Sequence, residues 1–169
     1  MTETYLPSLN LPGYGAQLRR DERGATQIYD CVRAKWVALT PEEWVRQHFV
    51  NMLINSFGYS PFRLGNERSI RINGRLRRCD TLIYDRAMRP VGIVEYKAPD
   101  VPVTQRVFDQ IGRYNLVIGA PLLMVSNGLH THALTIRAGA EGMAPEVNFL
   151  PAIPSYSELL ELIQRPRTL

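Results

Sequence analysis

Two cysteines in 169 residues, Cys31 and Cys79, are too few for a disulfide framework. Histidine is nearly as scarce. His48, His130 and His132 show no zinc-ligand spacing, and the last two read as a solvated pair in a turn-and-strand segment. The longest apolar stretch, Leu116 to Val125, is broken by Pro121 and is too short to span a membrane. The opening Met1-Thr2-Glu3-Thr4-Tyr5 has no apolar signal-peptide core. These absences predict a chain of the reducing cytoplasm with no membrane partner. Internal repeats and low-complexity tracts are also missing.

What is present is ordinary for a globular domain: 45% hydrophobic and 21% charged residues, in a length that can bury one core. The formal charge is +4 and the isoelectric point about 9.3. That balance suits a polyanionic partner, although a bland basic surface has the same numbers.

Residues 1–26, with Pro7, Pro12, Gly13, Gly15 and Gly24, read as an extended N-terminal arm, and residues 27–169 as a single domain. Gln27 to Val32 is a short strand candidate. Thr40-Pro41-Glu42-Glu43 starts a helix, with a capping hydroxyl, proline at the first position and acids at the positive end of the dipole. Val45, Phe49, Met52 and Leu53 carry that helix to Phe57-Gly58. Asn73-Gly74 between two strand-like runs is a hairpin signal. The turn Arg86 to Arg89 leads to a central strand, Pro90 to Lys97. A helical stripe (Val103, Val107, Ile111, Tyr114, Ile118) follows, then strands over Pro121–Ser126, Leu129–Arg137 and Glu146–Leu150, and a closing helix over Ser155–Gln164. The central order is helix, three meandering strands, helix, strand. A helix between the third and fourth strands is the crossover that makes them parallel. The fold class is therefore α/β: a mixed β-sheet flanked by helices.

If the four-residue turn Arg86 to Arg89 closes symmetrically, Asp85 faces Pro90 and Asp80 faces Glu95. Facing side chains stand about 4.5–5.5 Å apart at Cβ. Lys97 shares the face of Glu95, two residues on. Opposed carboxylates repel, and a hard divalent cation such as Mg²⁺ offsets that. The same register logic at Asn73-Gly74 puts Glu67 opposite Asp80, at the cost of setting Ile70 and Ile72 against Arg77 and Arg75. The alternative is a salt-bridge network with the nearby arginines.

Arg78-Cys79-Asp80 followed by Glu95-Tyr96-Lys97 resembles the PD-(D/E)xK nuclease signature. Gln110-Ile111-Gly112-Arg113-Tyr114 resembles the Q-x-x-x-Y motif of RecB-like enzymes and of type I restriction enzyme motor subunits. Thr40 to Gln47 is similar to the first helix of that family, and Asn127-Gly128 fits after the fourth strand. The resemblance covers roughly residues 28 to 137. It implies a restriction-endonuclease-like core of order α-β-β-β-α-β and a Mg²⁺-dependent deoxyribonuclease, with Mn²⁺ as a substitute. Asp80 and Glu95 are then metal ligands, and Lys97 orients the attacking water or stabilises developing charge. Glu43 is an accessory acid on the first helix, against the alternative that it only balances the helix dipole. Gln110 and Tyr114, four apart on one helix face, contact the DNA backbone or brace the metal site; as alternatives, Gln110 is solvated and Tyr114 belongs to the core. The sequence contains no G-x-x-x-x-G-K-[ST], so the resemblance is to the nuclease part without the motor.

From Arg63 to Arg89 eight arginines stand against three acids, a local balance of +5. Beside the proposed site this predicts phosphate contact, by Arg75, Arg77 and Arg78 above all. A solvated hairpin edge is the alternative. The expected partners are double-stranded DNA, a second copy of the chain, and a separate motor or restriction subunit. A non-catalytic DNA-binding or assembly module on the same fold is the rival function.

Overall fold

The protein was analysed as a computed structural model, which describes residues 6–139 and 143–164. Residues 1–5 of the expected arm and signal-free start, and 140–142 and 165–169 of the expected domain, lie outside the described residues.

The chain starts with a small antiparallel sheet, β1 (Leu18–Arg20), β2 (Thr26–Asp30) and β3 (Lys35–Ala38), in the order β1-β2-β3. Within the expected arm, Leu18–Arg20 pairs with Thr26–Ile28. The strand expected to reach Val32 stops at Asp30, because Asp30 Oδ1 accepts the Val32 and Arg33 N–H groups and turns the chain.

Helix α1 (Pro41–Phe57) begins as its sequence predicts. Thr40 is extended, and its Oγ1 accepts the Glu43 N–H at 3.0 Å; Gly58, at φ 70°, closes the other end. A 3₁₀ turn (Pro61–Arg63) leads into β4 (Leu64–Ile72), which starts three residues before the expected Glu67. Asn73 and Gly74, both at positive φ, make the two-residue turn into β5 (Arg75–Tyr84). Then come β6 (Pro90–Tyr96), α2 (Gln105–Ile118), β7 (Leu122–Ser126), β8 (Thr131–Arg137), β9 (Glu146–Leu150) and α3 (Tyr156–Gln164).

The main sheet has the order β4-β5-β6-β7-β8-β9. Only β6 and β7, joined through α2, run parallel. The class is a mixed sheet flanked by helices, as expected. On one face α1 and α3 bury Val45, Phe49, Leu53 and Leu159 against Val94, Tyr96 and Leu122. On the other, α2 buries Val107 and Ile111 against Ile93, Leu123 and Val125. At about 25 cal/mol per Å² of apolar surface, these two layers supply most of what holds the sheet in place.

Two register details position the site. Tyr84, not Asp85, pairs with Pro90, because Asp85 Oδ1 accepts both the Ala87 and Arg89 N–H groups and holds a tighter turn. A bulge at Val91 absorbs the difference, so Ile83–Gly92, Leu82–Ile93 and Thr81–Val94 pair as a symmetric turn would have paired them. In the other hairpin, Ile70 and Ile72 do oppose Arg77 and Arg75. The alternation of faces breaks at one point. Leu64 and Ile83 face α1, whereas Ile70 and Cys79 pack on the α2 side. The break lies at Glu67, which has φ 56°, and at Asp80 opposite it.

Candidate active site

Asp80 owes its position to that break. The pairing of β5 with β6 stops at Thr81–Val94. Beyond it, Asp80 Oδ2 accepts the Tyr96 N–H at 2.8 Å, so a side-chain carboxylate takes the place of a strand carbonyl. Its other oxygen, Oδ1, accepts from Arg46 Nη2 at 3.1 Å. Glu95, one strand over, is 2% exposed on the α2 side. Its Oε1 accepts Lys97 Nζ at 2.6 Å and Gln110 Nε2 at 2.5 Å. Gln110 spans the group: its Oε1 accepts Lys97 Nζ at 3.3 Å, and its amide also reaches the Tyr114 hydroxyl at 3.3 Å. Asp80, Glu95, Lys97, Gln110 and Tyr114 are thus brought into one neighbourhood, with Tyr114 half-buried against the α2-side core.

Electrostatics separates the two carboxylates from ordinary ones. Burial, then the charge of Asp80, pushes Glu95 up to about 7, against the pull of Lys97. Burial also raises Asp80 above the usual carboxylate range despite Arg46. Burial works against the Lys97 ammonium, but its bond to Glu95 and the charge of Asp80 hold it above the ordinary lysine value. The charge of Asp80 thus disfavours ionisation of Glu95, as that of Glu67 disfavours ionisation of Asp80.

Glu43 sits elsewhere. Its Oε1 accepts Arg33 Nη2 and Gln47 Nε2, each at 2.8 Å, and its Oε2 bonds Arg46 Nη1. The first-helix acid whose charge reaches Asp80, Glu95 and Lys97 is its neighbour Glu42, held above its ordinary value by burial and then by Asp80. Reading the sequence missed both Glu42 and Arg46. The available signal was the i, i+4 spacing of Glu42 and Arg46, which brings acid and guanidinium to one helix face.

Of the hairpin arginines, Arg78 is 70% exposed and bonds Glu67 at 2.6 Å. Arg75 and Arg77 are exposed on β5. Alternation from Cys79 sets them on the α2 face of the sheet, the face of Glu95.

Among the described residues, no three carboxylate, imidazole or thiol groups lie close enough to hold a metal by themselves. Asp80 and Glu95 nonetheless fit a Mg²⁺-like ion, which is typically held through one or two carboxylates and otherwise keeps water or substrate phosphate. The donor chemistry supports the fit: two carboxylates from adjacent strands meet beside a single ammonium, and the charge of Asp80 raises Glu95. A cleft of about 540 Å³, lined by Lys97, Gln110, Thr104, Gln105 and Arg106, opens beside them. The larger cavity, about 990 Å³, lies between the end of α1, the β5–β6 turn and α3 and contains none of these residues.

Residues 41–154 match the family described as type I restriction enzyme R protein N terminus. The fold is similar to the fragment structure assigned to an HsdR subunit of a type I restriction enzyme from Vibrio vulnificus YJ016, with a TM-score of 0.53 and 19% identity. That match covers 74% of this chain and 25% of the other, so the chain spans about a quarter of its relative's length. No curated protein matches. Among the described residues, no helix is long and apolar enough to cross a membrane.

Proposed function

This chain belongs to the family of type I restriction enzyme R protein N termini, and from that premise we propose that it is a Mg²⁺-dependent endonuclease hydrolysing DNA phosphodiester bonds in the cytoplasm. The observation that carries the reading is the convergence of Lys97 and Gln110 on one oxygen of Glu95, beside an Asp80 that caps the end of the strand ladder. Asp80 and Glu95 would hold the ion, with Mn²⁺ able to take its place. When bound, such an ion polarises the phosphate and makes its water acidic enough to attack at neutral pH.

The chain's own groups do the rest. Lys97 brings an ammonium to the cleft, where it orients the attacking water and stabilises charge on the phosphoryl oxygens. Gln110 fixes Lys97 and Glu95 relative to each other, and Tyr114 steadies Gln110. Arg75 and Arg77 approach the phosphates of duplex DNA running past the α2 face, whereas Arg78 is turned to the other side and bonds Glu67. No element offers a base-reading motif, so cutting depends little on sequence. A motor or restriction subunit, and a second copy of the chain, are the further partners this reading anticipates.

Relaxation of supercoiled plasmid in Mg²⁺ tests it. Nicking by the wild type that disappears in Asp80→Ala supports the proposal, whereas nicking retained by Asp80→Ala sinks it. A second reading, a non-catalytic DNA-binding or assembly module, is favoured by one observation: Asp80 is already ion-paired with Arg46. It predicts DNA binding with no nicking under any divalent ion.

A further inference from the structure

Arg46 is 3% exposed, yet the motifs of the sequence give it no role. Its guanidinium is surrounded by acids. Nη1 bonds Glu43, while Nη2 lies 2.7 Å from Glu67, 3.1 Å from Asp80 and 3.7 Å from Glu42. The group also lies over the Tyr96 ring, 5.6 Å from its centre. Its Nε has no hydrogen-bond partner, so the site accepts an imperfectly satisfied buried cation. Taking a guanidinium out of water is costly and is offset only by closely placed carboxylates.

The geometry is asymmetric about Asp80. One nitrogen, Nη2, stands where Glu67 and Asp80 converge from facing strands and where Glu42 reaches down from α1. On the far side, Glu95 meets an ammonium and an amide and, among the described residues, no guanidinium. Glu43 cannot swing toward another cation, because Arg33 and Gln47 hold its second oxygen. Carboxylates converging on a point hold either a fixed cation or a bound one, and here a fixed one is in place.

Resting on the nuclease reading above, we propose that Arg46 is a resident cation of this site: it occupies the α1 side of Asp80 that a second divalent ion would need, and so restricts the site to a single ion on the Glu95 side. It is a positioning residue, holding Asp80 Oδ1 and neutralising Glu67.

Manganese titration by calorimetry, with electron paramagnetic resonance on the same samples and a short duplex present, tests the proposal on the full chain. The wild type should bind one Mn²⁺ with an uncoupled spectrum. Arg46→Gln should take two ions with a spin-coupled spectrum, and Arg46→Lys, which keeps the charge, should stay at one. Two coupled ions in the wild type overturn this inference and leave the nuclease reading standing. No Mn²⁺ in the wild type overturns both. A folded Arg46→Gln that still binds one ion with unchanged affinity shows that Arg46 is structural only, and also overturns it. Where Arg46→Gln does not fold, the wild-type stoichiometry decides.

Discussion

The two sides of Asp80 are both acidic, yet they treat charge in opposite ways. On the α1 side, Asp30, Glu43 and Glu67 are matched by guanidinium groups of Arg33, Arg46 and Arg78. Behind them a neutral chain, Asn66 to Asp30, Thr81 to Asn66 and the Tyr96 hydroxyl to Thr81, carries the hydrogen bonding further into the core. Asp30 is held well below the usual carboxylate range because these bonds outweigh its burial. On the α2 side, Glu95 is pushed up to about 7, with one lysine for company. The first arrangement is saturated and serves as scaffold; the second lacks positive charge and is where a cation or a phosphate gains most. Arginine suits the first role because its planar fork is permanently charged and spans several acids. Lysine suits the second as a compact charge at the mouth of a cleft.

Breaking the saturated side should cost most in stability. Arg46→Ala takes from Asp80 its guanidinium partner and leaves Glu43 and Glu67 with Arg33 and Arg78 alone, and should destabilise the fold by about 3–5 kcal/mol in urea unfolding. Lys97→Ala also leaves a buried acid unpaired, but Glu95 is raised to about 7 and can take up a proton instead, so the loss in the same assay should be smaller, about 1–3 kcal/mol. Equal losses would erase the contrast between the sides.

Activity should invert that order. Lys97→Met should lower plasmid nicking by roughly 100-fold or more, as loss of one charge-stabilising group typically does, with its circular dichroism spectrum unchanged. Retained nicking in Lys97→Met would show that the ammonium is only a partner for Glu95.

The undersupplied side should also show itself through pH. Glu95 has an ordinary value of 4.5 and is raised to about 7 in the fold. A folded state that holds the proton more tightly gains stability below the ordinary value and loses it as pH rises from 4.5 to 7. Metal-free protein should therefore become less stable across that window. Glu95→Gln should flatten the dependence and gain on the order of 2 kcal/mol at pH 8, read as denaturation midpoints. A flat wild-type profile would mean that Lys97 fully compensates Glu95.

The smallest effect belongs to the hairpin. Arg75→Ala and Arg77→Ala should each reduce the slope of log affinity against log salt for a duplex by about 1, with no change of sequence preference. An unchanged slope would turn the exposed arginines into a solvated edge.

Most of the fold was legible in the sequence wherever a local signal coincided with the final geometry. Thr40-Pro41 caps α1, Asn73-Gly74 adopts the positive φ values its turn needs, and the Val107–Ile111 stripe faces the sheet. The pairing around Asp80 was also legible, although for a different local reason: a tighter turn at Asp85 and a bulge at Val91 cancel. Of the small sheet only β2 was, as Gln27 to Val32; β1 and β3, strands of three and four residues that carry no periodicity, were not. Neither was the separation of Glu42 from Glu43. Adjacent helix positions point about 100° apart, and only packing decides which one faces Arg33 and which one Asp80.

By itself, then, the sequence determined the elements of the main sheet and its helices, their order, and the acid of β5 and the acid and lysine at the end of β6, because these follow from short-range periodicity and turn chemistry. Which acids are neutralised was decided by the tertiary structure alone. Arg33, Arg46, Glu67 and Asp80 come from four separate elements or turns, and a buried charge is stable only where the fold brings its partner within about 4 Å.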